Sequence, residues 1–256
     1  MGLRQMGKVY LIGAGPGAAD LITVRGARLL GLADVVLHDA LVEPAMLEYA
    51  PHARKIAVGK RCGQLSTAQQ FINKQIVDAA QEHAVVVRLK GGDPMLFGRA
   101  DEEMRALEAA GIEYEVVPGI TAALASAASL KRSLTLRGVS RSVALATHSR
   151  AADTEAIREQ VNADSLVFYM GRDSGPEIAQ GLIDAGRDGR TPVAIVEACS
   201  TARERMLTLT LSDLACGMAQ QWLDASQPSL LMIGDAFAAR SGQLEVGAVE
   251  AVLSAA

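Results

Sequence analysis

Short apolar runs alternate along the chain with stretches in which apolar residues recur at helical spacing. Val9–Ile12, Val35–His38, Lys55–Val58, Val85–Leu89 and Tyr114–Val117 read as strands. Ser66–Glu82 reads as a helix, because Ser66 and Gln69 form a capping-box pattern and Ile72, Ile76 and Ala80 follow on one face. Arg99–Ala110 reads as another, with Asp101, Glu102 and Glu103 in a first turn where the helix dipole favours acids. Strands alternating with helices predict a mostly parallel sheet covered by helices. Pro118-Gly119 interrupts the pattern, and a small-residue helix, ITAALASAASL, follows. Beyond it Ser142–Thr147, Ser165–Tyr169, Val193–Glu197, Met206–Leu211 and Leu230–Ile233 read as strands, the last three separated partly by turns. The expected fold class is α/β: two α/β domains, 1–119 with a mostly parallel sheet and 120–256 with a mixed one. From about Ser241 the chain is expected to be a surface helix or a frayed tail.

The first run leads into GAGPGAADLIT. Gly13, Gly15 and Ala18 match the dinucleotide pattern G-x-G-x-x-G/A, and Asp39 ends the next apolar run. The context argues against that reading. A dinucleotide-binding helix starts inside the glycine motif, facing the pyrophosphate. Here Pro16 and Gly17 intervene, the N-cap candidates Asp20 and Thr23 come later, and helical periodicity begins near Val24. Pro16 also removes a backbone N–H from the loop. A tight connection with no ligand duty is an open alternative. The second glycine loop, LKGGDPMLFGRADEE, is more specific. Gly91 and Gly92 let the backbone approach a ligand closely, Asp93 can accept hydrogen bonds from a ribose or an amine, and Pro94 stiffens the turn. In open α/β sheets such loops, at the carboxyl ends of parallel strands, bind ligands.

Composition narrows the function classes. Half of the 256 residues are apolar and the net charge is −4, which gives no general attraction to nucleic acid or anionic membranes. The first residues show no secretory h-region, and no apolar stretch approaches the ~20 residues that span a bilayer. Cys62, Cys199 and Cys216 are too scattered for a framework and fit free thiols in a reducing cytoplasm. His38, His52, His83 and His148 show no metal-ligand spacing, so no metal site is expected.

GAGPGAADLIT, VLHDALV, VGKRCG, KGGDPMLFGRADEE, VVPGITAALASAA and VFYMG occur in this order. With these motifs the chain resembles the uroporphyrinogen-III C-methyltransferases of the tetrapyrrole methyltransferase family, over roughly residues 8 to 240. The resemblance implies a two-domain fold using S-adenosyl-L-methionine in the interdomain cleft, with the substrate on the N-terminal side, the cofactor on the C-terminal side, and a homodimer. It places Pro16, Gly91, Gly92, Asp93, Leu96, Thr121, Ala122, Met170 and Cys199 at the cofactor. The family's acid/base pair falls on Asp39 and Lys60. Arg99 and Glu102, one helical turn apart, are rival participants in substrate orientation or proton transfer. The substrate carries many carboxylates, which arginine binds bidentately, so Arg61, Arg99 and Arg137 are candidates. Lys131, Arg132 and Arg141 read better as solvated surface charges. Asp39 could instead cap a turn, Lys60 could be an exposed turn lysine, Met170 could be core packing, and His148 an ordinary strand-end residue.

The chain departs from the family pattern in one region. KRSLTLR (Lys131 to Arg137) stands where GIPLTHR is common, and Thr147-His148-Ser149 where TGH is usual. Ala18 replaces a common Asp, and Cys199 a usual Gly or Ala. GGDP is intact. The implied activity is methylation of uroporphyrinogen III at two ring carbons to precorrin-2, feeding cobalamin, sirohaem or haem d1. Alternatives are a later precorrin methyltransferase, a non-catalytic tetrapyrrole or adenosylhomocysteine binder, and, weakest, a dehydrogenase.

Overall fold

The computed structural model of the chain describes residues 6–58, 65–148 and 162–239, the side chains of 65–68 excepted. The chain divides into two compact units, Met1–Ala122 and Ala123–Ala256.

The first unit is built on a five-stranded sheet of β1 (Lys8–Gly13), β2 (Val35–His38), β3 (Arg54–Ala57), β4 (Val85–Lys90) and β5 (Tyr114–Val117), in the order β3-β2-β4-β1-β5. Every neighbouring pair is parallel. Its helices are α1 (Val24–Leu30), α2 (Leu65–Glu82) and α3 (Ala100–Ala109). Successive strand residues face opposite sides. Ile12, Val36, Val87 and Leu89 pack against Leu29 and Leu30 of α1. Val9, Leu11, Val35, Leu37 and Val86 pack against Ile72 and Ile76 of α2 and Leu107 of α3. Burial on both faces explains why these strands are apolar runs rather than alternating ones.

The start of α1 bears on the dinucleotide question. Thr23 is its N-cap, its hydroxyl accepting the Gly26 N–H at 3.1 Å. Asp20 lies in a separate 3-10 turn, Ala19–Leu21. α1 thus begins beyond Gly17 and the 3-10 turn rather than inside the glycine motif, where a dinucleotide-binding helix would start. The cap predicted at Ser66 falls outside the described side chains.

The second unit holds α4 (Ala122–Ser129), which opens at the unit boundary, α5 (Gly175–Asp184) and α6 (Leu211–Ala215). Its sheet contains β6 (Val143–Thr147), β7 (Ser165–Tyr169), β8 (Pro192–Glu197), β9 (Arg205–Thr210) and β10 (Ser229–Ile233), in the order β6-β7-β10-β8-β9. β6 and β7 are parallel and the other pairs antiparallel, so the sheet is mixed as expected. The apolar pattern names no helix at α5, which buries Ile178 and Ala179. It also carries a strand through Leu211. There the structure differs because Thr210 and Asp213 form a capping box, with the Thr210 N–H donating to Asp213 at 2.9 Å. Leu211 therefore opens α6, fully buried.

Glycines knit the carboxyl edge of the first sheet. The N–H groups of Gly15 and Gly92 each donate to the other's carbonyl, at 3.1 and 2.7 Å, and the Ala14 N–H donates to the Lys90 carbonyl at 2.7 Å. A Cβ on Gly13 would lie 2.6 Å from the Gly119 Cα, and one on Gly119 would overlap the Gly92 carbonyl oxygen. Backbone atoms on both sides cannot yield as a flexible side chain can. Gly119→Ala is therefore expected to destabilise the protein by about 1–3 kcal/mol, as overpacking does. Urea denaturation measures this, and an unchanged midpoint would contradict it.

Candidate active site

Because the first sheet is parallel, β1, β2, β4 and β5 all deliver their following loops to one edge. These loops carry GAGPG, Asp39, GGDP and PGIT. The Asp39 and GGDP loops lie side by side: a Cβ on Gly91 would meet the Leu41 Cβ at 3.4 Å and, among the described residues, nothing else within 4 Å. One on Gly92, whose φ is +67°, would meet nothing within 4 Å. The Gly91-Gly92 backbone is thus bare on one side, open to the close approach of a ligand.

Asp93 ties this loop down. Its Oδ1 accepts the Met95 N–H at 2.8 Å and its Oδ2 accepts the Gly119 N–H at 2.9 Å, joining GGDP to PGIT. Each oxygen retains a second lone pair for a ligand. Leu96 and Pro16 are half-buried beside these turns, as are Thr121 and Ala122. Phe97 and Arg99 hold left-handed backbone at φ +53° and +54°. Such conformations are uncommon for residues with a Cβ and concentrate at functional sites. Arg99 is the N-cap of α3 rather than its first residue, so the helix opens at Ala100. Its guanidinium grips Glu102 bidentately at 2.6 and 2.8 Å, the i,i+3 pairing expected.

Asp39 follows β2. Its side chain pairs with the Arg88 guanidinium and not with a turn N–H. Arg88 and Lys90 lie on the same face of β4, and both reach Glu103 of α3. The Arg88 Nε–H donates to Glu103 at 2.9 Å, and the Lys90 ammonium donates to both Glu103 oxygens at 2.9 Å. Burial works against the Arg88 charge, but Asp39 and Glu103 offset this and hold the guanidinium above its ordinary range. Burial, and then the Arg88 charge, push the Lys90 ammonium below the usual lysine value. The helix-dipole reading of Glu103 is therefore incomplete: the side chain is fully buried among these cations. The sequence reading names neither Arg88 nor Lys90. The available signal was two cations at i,i+2 in VVVRLK, a strand otherwise apolar on both faces.

Lys60 and Arg61 lie outside the described residues. Arg137 is exposed at the tip of a turn closed by the Leu136 N–H donating to the Ser140 carbonyl at 3.0 Å. His148, after β6, lies 3.5 Å from Glu177.

In the second unit Met170 follows β7 and Cys199 follows β8. Both strands run antiparallel to β10 between them, so the two residues share one sheet edge. The Tyr169 hydroxyl accepts the Ala123 N–H at 3.1 Å, bringing the start of α4 to the same edge. Met170 is 56% exposed with φ +54°, which excludes core packing. Ala198 and Ser200, flanking Cys199, have φ +48° and +57°. Glu204 anchors this turn, accepting the Ser200 N–H at 2.5 Å and the Ser129 hydroxyl at 2.9 Å. Among the described residues no group of three His, Cys, Asp or Glu side chains could hold a metal ion, and no helix is long and apolar enough to cross a membrane.

Comparison with known proteins matches these features to a family. The model of the tetrapyrrole (corrin/porphyrin) methylases matches residues 8–215. A siroheme synthase from Psychrobacter cryohalolentis is 44% identical over 234 residues, 90% of this chain and 44% of the relative. The chain spans about half the length of the curated relatives it matches. A uroporphyrin-III C-methyltransferase structure from Thermus thermophilus has 38% identity and a TM-score of 0.78, covering 90% of this chain and 98% of that one. A second structure of the Thermus enzyme, complexed with S-adenyl homocysteine, has 36% identity and a TM-score of 0.80, covering 94% and 99%. The chain belongs to the tetrapyrrole methylase family.

Burial pushes the Cys199 thiol up, whereas Cys216 is exposed. Thiolate is the reactive form. With 5,5′-dithiobis(2-nitrobenzoate) at neutral pH, Cys216 should be labelled well before Cys199, as peptide mass mapping would read. The reverse order would contradict the buried Cys199 turn.

Proposed function

We propose that this chain transfers methyl groups from S-adenosyl-L-methionine to two ring carbons of uroporphyrinogen III, yielding precorrin-2 and S-adenosyl-L-homocysteine. The observation that carries the reading is the bare Gly91-Gly92 backbone, tied to PGIT through Asp93 at the carboxyl edge of a parallel sheet. The chemistry of the residues present fits the cofactor. Two glycines, with only Leu41 beside Gly91 among the described residues, leave room for a nucleoside, and the Asp93 carboxylate retains acceptor capacity for a ribose hydroxyl or an ammonium. Pro16, Gly91, Gly92, Asp93, Leu96, Thr121, Ala122, Met170 and Cys199 are its contacts in this reading, as the family resemblance implies. The Thermus relative's complex with S-adenyl homocysteine supports the assignment.

When bound, S-adenosyl-L-methionine supplies a methyl group on a sulfonium, already a good leaving group. The protein's task is alignment, which can contribute several kcal/mol, and removal of one proton per methylation. Asp39, whose carboxylate is 29% exposed at the edge of the first sheet, is the base of this reading, with Lys60 as its family partner. Arg99, held by Glu102, and Arg61 and Arg137 bind the substrate's carboxylates. The protein acts in the cytoplasm, as a homodimer, on a small tetrapyrrole and without nucleic acid.

The test is to incubate the purified protein anaerobically with uroporphyrinogen III and S-adenosyl-L-methionine, and to read mass and absorbance after oxidation. Two added methyl groups are expected. No methylation with S-adenosyl-L-homocysteine still bound would remove the substrate assignment and leave the cofactor assignment standing. Asp39→Asn is expected to lower kcat at least ~100-fold, the scale of losing a general base, with S-adenosyl-L-homocysteine affinity within about threefold by calorimetry. Equal losses in both would mean that Asp39 serves binding.

A further inference from the structure

Asp39 is the exposed end of a buried chain of charges. Its side chain is 29% exposed, against 2% for Arg88, 3% for Lys90 and 0% for Glu103. The chain is neutral overall: two cations and two anions, of which Asp39 alone meets solvent. Arg88 is fixed from several directions. Its Nε–H donates to Glu103 at 2.9 Å, and its Nη1 group donates to the Leu89 carbonyl at 3.2 Å and the Leu37 carbonyl at 3.4 Å. That leaves the Nη2 group to face Asp39. Glu103 in turn is held by Lys90 and faced by the Gln69 amide at 3.5 Å. A guanidinium fixed this way presents its remaining donors in one direction, since its five N–H groups form a rigid planar fork.

We propose that Arg88, clamped by Glu103, is the positioning residue for Asp39. It holds the carboxylate in one place at the sheet edge, where a substrate proton is to be taken. This rests on the methyltransferase reading, in which Asp39 is the base. Arg88 itself is buried and touches no substrate. Its effect passes only through Asp39, and Glu103 acts one step further back. An ordinary structural ion pair would show no such dependence. A carboxylate displaced by about an ångström can lose ~100-fold in rate.

The experiment uses the full chain with Arg88→Met, Glu103→Gln, Asp39→Asn and the doubles Arg88→Met/Asp39→Asn and Glu103→Gln/Asp39→Asn. Arg88→Met is expected to lower kcat about 100-fold and Glu103→Gln about 10-fold, with S-adenosyl-L-homocysteine affinity held within about threefold. In the Asp39→Asn background each should have less than about threefold further effect, the non-additivity of residues in one network. Arg88→Lys, which keeps the charge but not the fork, should recover less than about a tenth of the lost rate. The same loss in both backgrounds would overturn the proposal. If Arg88→Met does not fold, the Glu103→Gln pair decides it by the same criterion. Crystal structures of the unsubstituted and Glu103→Gln proteins give a reading independent of turnover. The Asp39 carboxylate should occupy one position in the first and lose it in the second. If the unsubstituted protein methylates nothing, the functional reading fails. An Asp39 position unchanged in Glu103→Gln overturns the positioning claim whatever the activity.

Discussion

In the first unit Gly13, Gly119 and the Gly92 carbonyl come together, backbone against backbone, more closely than a side chain on Gly13 or Gly119 would allow. This approach joins the ends of β1, β4 and β5 into one surface, and the two reciprocal bonds between Gly15 and Gly92 extend it past the sheet itself. The GAGPG, GGDP and PGIT loops are therefore part of a continuous hydrogen-bonded edge. Asp93 completes it, because its two oxygens span from the Met95 N–H to the Gly119 N–H. A bare backbone that must admit a ligand needs such support, since glycine alone favours many conformations.

The polar side of the same edge is organised by a different force. Arg88 and Lys90 point from the middle of the sheet into a space lined by α2 and α3, where an unpaired charge would be costly. Glu103 enters from the first turn of α3 and neutralises both. The glycine-rich loops are thus fixed by close packing of backbone, and Asp39 is tied to a chain of buried ions. The two devices come near each other at Leu41, two residues after Asp39 and beside Gly91.

The sequence exposes the first device far better than the second. Gly-rich turns after apolar strands are local signals, and the cap at Thr23 is legible in the residues around it. The parallel strands could be read because burial on both faces makes them apolar runs. Glu103 could not be placed from its neighbours: Asp101, Glu102 and Glu103 look alike in sequence, and only the face of α3 separates the buried carboxylate from the solvated ones. Arg88 is hidden similarly, since its partners lie on β2 and α3, remote in the chain. In the second unit, Thr210 and Asp213 form a capping box that ends a strand inside an apolar stretch. Apolar content alone cannot mark that change of direction. The left-handed backbone at Met170, Ala198 and Ser200 has no glycine to announce it.

The strand order of the first sheet also governs how the chain is assembled during synthesis. β1 sits between β4 and β5, so the earliest-made strand of this unit pairs with residues 85–90 and 114–117. Its apolar VYLIG run has no edge to join until most of the unit has been made. Closure over such sequence distances is slow. The second unit contains β8 and β9, adjacent antiparallel strands joined by a short connection, which can pair as soon as both emerge. Of the two units, translation thus presents the one with the slower-forming sheet first, and the nascent chain carries β1 unpaired until β4 is made, about 70 residues later, the interval in which holding by a chaperone has the greatest effect.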